Sequence, residues 1–443
     1  MSSNAKPLLI RGGRIIDPYR GIDEVGSLLI RAGTIALLSA PSPLPDCIEL
    51  NAEGLVVCPG FIDLHCHLRE PGFEEKETIA SGTRAAARGG FTTVCCMPNT
   101  SPALDNREVI NYVNSIAARE GVIRVLPIGA VTVGRKGETL APLDEMAAAG
   151  AIAFSDDGAP VSNASLMRQA LDYSVASGLP IIEHCEDVAL AMGGQINEGV
   201  VSNELGLRGM PHVAEENMIV RDLALARQTG GRLHIAHAST AGSVELIRRG
   251  KEQGINITAE VTPHHLTLTE EAVIIHGTVA KVNPPLRTQW DVQALVQGLH
   301  DNVIDIIATD HAPHAEADKK CEFTRAAFGI SGLETALGSL MNLVHSRQIT
   351  LTDLITRLTG MPAGLITIGK RLGTLGDGRT ADVTIFDPDR EWVVDTNAFA
   401  SKGKNTPLEG ARLKGKVMAT VYKGKLVYKD DFLTLAGEYK GEY

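Results

Sequence analysis

His65, Cys66 and His67 close an apolar run that spans residues 56–65. Side chains alternate faces along a strand, so residues two apart point the same way. His65 and His67 can therefore grip one ion from a single strand end. Other apolar runs stop at residues of the same chemistry: Asp156-Asp157 after 151–155, His184 at the end of 180–184, His237 at the end of 232–237, and Asp310 after 304–309. Neutral imidazole and carboxylate are good zinc ligands, and catalytic zinc sites keep a position open for water. Four histidines with one or two aspartates exceed what one tetrahedral zinc needs. The excess predicts two metals roughly 3.5–4 Å apart, bridged by a carboxylate. One strand-end histidine alone is more often a packed core residue than a ligand. Five strand ends sharing one ligand chemistry are hard to explain by packing.

The remaining histidines read differently. His234 lies three residues before His237 and so faces the other side of its strand, which predicts a structural role. His212, His276, His300 and His345 have no partners nearby in sequence, and packing or exposure is their default. His264 and His265 follow Pro263 and stay open between packing and the orientation of a ligand. No phosphate-binding GxxxxGK[ST] loop is present.

Strand ends must be gathered in space for these residues to meet. Eight apolar runs (56–65, 91–97, 123–128, 151–155, 180–184, 232–237, 256–261 and 304–309) alternate with helical stretches at 79–88, 106–119, 165–177, 215–229 and 241–252. Regular βα alternation predicts an α/β fold in which eight units close into a (β/α)8 TIM barrel, with catalytic groups at the C-terminal ends of its strands. Both chain ends read instead as short strands and turns, including a loop at 41–45 and a hairpin at Lys423-Gly424. The expected organisation is a small β-sandwich domain built from both ends, residues 1–56 and 369–432, around a barrel over 57–368. A tail at 433–443 has little to bury.

Composition narrows the function classes. The chain has 443 residues and a formal net charge of −11. An acidic balance argues against nucleic acid as a general partner. No stretch approaches the roughly 20 apolar residues of a membrane span, and residues 1–14 lack a signal-peptide pattern. The seven cysteines form no CxxC pair. Reduced thiols in a cytoplasmic enzyme are the expectation.

Several motifs together carry a family resemblance. Asp63-Leu64-His65-Cys66-His67-Leu68-Arg69-Glu70-Pro71-Gly72 resembles the signature of dihydroorotases in the amidohydrolase superfamily, and Asp310-His311-Ala312-Pro313-His314 resembles their second signature. Met97-Pro98-Asn99-Thr100, the stretches 281–287 and 328–335, and Asn405-Thr406-Pro407 are similar as well. The resemblance implies that His65, His67 and Asp310 bind one zinc and that His184 and His237 bind a second. Many relatives bridge the metals with a carboxylated lysine. Here Ser155-Asp156-Asp157-Gly158 has none, which resembles the bacterial branch with an aspartate bridge, at Asp157, and counts against a hydantoinase or allantoinase.

The resemblance further implies reversible interconversion of dihydroorotate and N-carbamoyl-L-aspartate in pyrimidine biosynthesis, with Asp310 as the proton shuttle. Arg69, Asn99 and His314 would hold the substrate carboxylate, Asn283 the ring, and the backbone near Phe328 and Gly329 further hydrogen bonds. Without the motif, Arg69 reads as a rim residue pairing with Glu70 or Glu74, and Asn99 and Asn283 read as turn residues. Implied partners are a second copy of the chain and aspartate transcarbamoylase; a chain that only scaffolds that enzyme is the competing reading. The charged stretch 312–328 reads as a lid over the substrate.

Overall fold

The computed structural model describes residues 6–38, 47–366 and 372–436. The central part is built from parallel strands separated by helices. Phe61–Cys66, Phe91–Cys96 and Arg124–Pro127 pair in parallel in that order, and Ile181–Glu183, Leu233–Ile235, Ile257–Val261 and Ile306–Ile307 form a second parallel sheet. Isolated parallel bridges link the two. Phe154 bridges both Gly129 and Ile181, and His311 bridges Cys66. The run 151–155 thus contributes bridges at Phe154 where a strand was expected.

Alternation along the strands sorts the apolar residues into two buried clusters. Ile62, Leu64, Cys95, Ile152, Ile182, Ala236 and Ile306 share one. Phe91, Val94, Phe154, Ile181, Leu233, Ile257 and Val261 pack in the other with helix residues such as Ala86, Ile110, Met167, Ile219 and Ile247. The helices begin where a side chain can satisfy their first N–H groups. Thr78 and Ser81 form a capping box before Ile79–Arg88, and Asn106, Asn163 and Thr240 cap Arg107–Glu120, Ala164–Ser177 and Ala241–Glu252.

The first apolar run is not one strand. It breaks at Gly60 into Val56–Pro59 and Phe61–Cys66. A side chain at Gly60 would lie 2.2 Å from the Thr92 hydroxyl, and the Gly60 N–H donates to the Asp382 carbonyl. The chain therefore switches sheets at a residue that cannot carry a Cβ. Val56–Pro59 pairs antiparallel with the first part of Val383–Val393, joining the two chain ends.

The end strands depart from the expected two-sheet sandwich. They form one nine-stranded hydrogen-bonded sheet. The reason is Leu8–Asp17, which pairs with Ile22–Arg31 on one edge and on the other with Ile48–Asn51 and then Val56–Pro59. One long strand thus ties together what would otherwise be separate layers, and apolar residues from these strands, such as Ile10, Leu28, Val57, Ile385 and Val421, share one core. The expected tail also needs correction. Leu433 is buried, and Leu435–Ala436 pairs with Ile48–Asn51, so an edge strand captures its first residues. Residues 437–443, the 41–45 loop and the expected boundary at 368–369 lie outside the described residues.

Candidate active site

His65 and His67 stand at the end of Phe61–Cys66, and His184, His237 and Asp310 follow Ile181–Glu183, Leu233–Ile235 and Ile306–Ile307. Together with Asp157 they converge, all buried. Asp157 lies in the middle. Its Oδ1 is 3.3 Å from His65 Nε2, 3.7 Å from His237 Nε2 and 4.0 Å from His184 Nδ1, and its Oδ2 is 3.6 Å from His67 Nε2. Asp310 Oδ1 is 3.0 Å from His67 Nε2 and 3.5 Å from His65 Nε2. Two overlapping sets, His65–Asp157–His237 and His65–His67–Asp310, bring their donor atoms within 4.8 Å of one another. His184 joins from the His237 side, its Nδ1 2.9 Å from His237 Nε2.

These residues fit a metal. His65 Nε2 and Asp157 Oδ1 are buried without a hydrogen-bond partner. An unmet buried polar atom costs about 1–3 kcal/mol, and a divalent cation meets both. Burial opposes the charge on Asp157 and Asp310, but the surrounding imidazoles, His65 foremost, outweigh it and hold both carboxyls below their ordinary range. Both are anionic ligands at neutral pH. Backbone strain gathers here too: His237 (φ 30°), Asp310 (φ 42°) and Arg69 (φ 61°) occupy positive φ without being glycine. Such conformations cost roughly 1–3 kcal/mol and persist where the surroundings enforce them.

Three of the four imidazoles are turned by a further group. His65 Nδ1 meets Glu260 Oε1 at 2.7 Å, His67 Nδ1 donates to Asn99 Oδ1 at 2.8 Å, and His184 Nε2 meets Glu186 Oε2 at 3.2 Å. For His65 and His67 this leaves Nε2 facing the centre. Burial works against a charge on Glu260, yet His65 and His234 beside it bring its carboxyl down to about 2. His234, expected to be structural, is the second partner of Glu260 at 3.2 Å.

The adjacent aspartates divide their labour. Asp156 accepts from Val131 N–H, Thr132 N–H and the Thr132 hydroxyl, while Arg135 donates to the carbonyls of both Asp156 and Asp157. Asp156 anchors the turn, and Asp157 is left to face the centre. Asp63 plays a similar part, accepting from Thr309 N–H (2.8 Å) and Oγ1 (2.6 Å) just before Asp310.

Every candidate residue except His65 lines one cavity of about 180 Å³, and His65 lies fully buried beneath it. Asn283 donates to Glu186 Oε2 at 2.7 Å, and its Oδ1 is buried without a partner. Arg69 Nε donates to the Pro313 carbonyl. Its Nη2 is 3.4 Å from His314 Nε2, but that nitrogen lies 2.8 Å from the Phe328 carbonyl. The shorter contact places the proton on His314 Nε2, so Arg69 Nη2 finds no lone pair there and remains a donor for a ligand. Burial first, then Arg69, pushes the His314 imidazole down to about 3. The cation facing the cavity is therefore Arg69, with His314 neutral.

His265 joins Thr262 Oγ1 (2.8 Å) to the Pro284 carbonyl (3.0 Å) and so steadies the segment after Asn283, whereas His264 faces a separate small cavity. The 312–328 stretch is anchored from within. Buried Lys319 donates to the carbonyls of Thr278 (3.1 Å), Lys281 (3.1 Å) and Ala327 (2.6 Å).

This chain has relatives over nearly its whole length. It is 51% identical over 426 residues to a dihydroorotase of Thermoanaerobacter sp. (strain X514), covering 96% of this chain and 98% of that one. It is 52% identical over 424 residues to a dihydroorotase of Pelotomaculum thermopropionicum, covering 96% and 99%. The chain belongs to the dihydroorotase family. A family model described as dihydro-orotase-like matches residues 54–243, which hold five of the six candidate ligands of this dihydroorotase-family chain and stop short of Asp310. Among solved structures, L-hydantoinase from Arthrobacter aurescens superposes with a TM-score of 0.87 at 24% identity, covering 97% of this chain and 98% of that one. Dihydropyrimidinase from Brevibacillus agri does so with 0.84 at 21%, covering 96% and 95%. At such identities the likeness speaks for the fold alone.

Sequence reasoning missed Glu260, Asp63, Glu186 and Arg135 in this dihydroorotase-family site. For Glu260 a signal existed: a carboxylate inside the otherwise apolar end of Ile257–Val261 is expensive to bury unless partnered. Glu186 sits in a loop and Arg135 ends the short 3-10 turn Val133–Arg135, where a charged residue is unremarkable.

Proposed function

We propose that the chain is a dihydroorotase that reversibly cyclises N-carbamoyl-L-aspartate to dihydroorotate, with two zinc ions held by His65, His67 and Asp310 and by His184 and His237, and bridged by Asp157. The observation that carries this reading is Asp157, whose carboxylate stands between the two histidine pairs with a partnerless buried oxygen. When bound, the metals polarise a carbonyl and lower the pKa of water towards about 7.

The residues of the chain do the rest. Arg69 offers its unused guanidinium donors to the substrate carboxylate, a planar match that lysine cannot supply. Asn283 presents a free carbonyl oxygen to the ring. Asp310, ionised, takes a proton from the attacking water and delivers it to the ring nitrogen as the C–N bond breaks; in the synthetic direction it carries the proton back. Asn99 holds His67 so that Nε2 faces the centre, a role beside the expected contact with substrate.

The two parallel sheets and the bridges between them read as one closed (β/α)8 barrel, the arrangement that collects strand ends at one mouth. Cytoplasmic residence belongs to the same proposal. Cys58, Cys66, Cys95, Cys96 and Cys185 are buried free thiols, and no helix among the described residues is long and apolar enough to cross a membrane. The family resemblance extends the proposal to a homodimer and to aspartate transcarbamoylase as a partner, which light scattering of the chain alone and mixed with that enzyme checks.

Initial rates with dihydroorotate, hydantoin and allantoin on the zinc-loaded chain test the function. Dihydroorotate should be strongly preferred. Preference for hydantoin or allantoin would reassign the substrate, and no turnover of any ring would favour a scaffold.

A further inference from the structure

The loop between Val383–Val393 and Arg412–Tyr422 belongs to the C-terminal strands, yet it reaches the wall of the cavity. One end is fixed on Glu77, which accepts from the Ser401 hydroxyl and from the Lys402 N–H (3.2 Å). At the other end Asn405 is 4% exposed and uses every position of its amide. Oδ1 accepts from the His314 N–H (2.9 Å) and the Ser331 hydroxyl (2.9 Å). Nδ2 donates to the carbonyls of Ala312 (3.0 Å) and Gly329 (3.0 Å). Its own carbonyl accepts from the Ser331 N–H at 2.8 Å.

Asn405 does not line the cavity, and its amide has no hydrogen-bonding position left for a ligand. What it joins are the two stretches that do line it, Asp310 to His314 and Phe328 to Gly329. Spacing between them is tight. A Cβ at Gly329, where φ is +141°, would lie 2.6 Å from the Ala312 Cβ and 3.1 Å from His314 Nε2. The His314 to Phe328 hydrogen bond spans the same gap and settles which donors of Arg69 stay open.

We propose that Asn405 is a positioning residue for carboxylate recognition: its amide sets the separation of His314 from Phe328–Gly329 and thereby the subsite into which Arg69 donates. The proposal rests on the reading of Arg69 given above. A carboxylate oxygen in place of Nδ2 would face the Ala312 and Gly329 carbonyls and remove the two donors that hold these strands together.

The test is steady-state kinetics on the zinc-loaded full chain with Asn405→Asp, alongside Arg69→Lys and Ser331→Ala. For Asn405→Asp the KM for dihydroorotate should rise about 10-fold while kcat changes less than about 3-fold and zinc content stays that of the parent, the loss expected for one or two mispaired hydrogen bonds. A lowered melting temperature with unchanged KM would make Asn405 a purely structural residue and overturn the proposal. If Asn405→Asp fails to fold, Ser331→Ala decides: it removes one hydroxyl from the same amide and should raise KM about 2–3-fold, and an unchanged KM overturns the proposal. Arg69→Lys separates the two levels. A raised KM there with none in the Asn405 and Ser331 variants rejects the positioning role alone; an unchanged KM in all three rejects the carboxylate reading with it.

Discussion

On one side of the cavity, imidazoles and carboxylates follow short parallel strands or the bridge at Phe154, and three of the four histidines are turned by a neighbouring polar group, such as Glu260 for His65 or Asn99 for His67. On the other side, Asn283, His314 and Phe328–Gly329 sit on loops held by polar side chains, Asn405 and His265 from other segments and Lys319 from within the 312–328 stretch. The metal side has its geometry from strand ends and the strained turns that follow them, and the substrate side has it from hydrogen bonds between loops. The difference teaches where each kind of damage should appear. Loss on the metal side should abolish chemistry or metal binding, and loss on the loop side should first weaken substrate recognition.

The largest expected effect is on the metal side. Asp310→Asn keeps the size of the side chain but removes the proton acceptor, so kcat should fall by about 10²–10⁴-fold with the circular-dichroism spectrum unchanged. Near-normal turnover would remove Asp310 from its role. Glu260→Gln should be milder. The amide oxygen can still accept from His65 Nδ1, but the charge is gone, so zinc affinity should drop about 10–100-fold in competition with a chelator. Unchanged affinity would mean that Glu260 holds only His234.

The loop side gives the smallest effect, seen in stability. Burial, aided by Lys281, pushes the Lys319 ammonium down to about 7. Above that pH the folded chain holds Lys319 as an amine with two N–H left for its three carbonyls, while the unfolded chain keeps it protonated to about 10.4. The unfolded state then binds more protons, so the contribution of Lys319 to stability rises with pH from about 7 to about 10.4. Urea midpoints at pH 6 and pH 9 should show the parent gaining relative to Lys319→Met. A constant difference would mean that the ammonium stays charged in the folded chain.

How much of this could be seen in the sequence follows the same division. His65, His67, His184, His237 and Asp310 were legible because strand alternation and strand ends are local properties. In the sequence only the family resemblance separates Asp157 from Asp156; the structure supplies the physical reason, since Thr132 and Val131 occupy Asp156. Asn405 stood in a recognisable motif, but its task depends on partners 74–93 residues away. The single end sheet was not legible either, because no local pattern says that Leu8–Asp17 pairs with two strands along one edge. Nor does periodicity show the sheet switch at Gly60, which depends on Thr92 lying against it.

The central claim is that Asp157 bridges two catalytic metals. It is tested most directly by stripping the chain with a chelator, returning zinc in steps, and following dihydroorotate ring opening against zinc bound per chain. The account predicts no activity in the metal-free chain and full activity as bound zinc approaches about two per chain. Ring opening that persists without metal would contradict it.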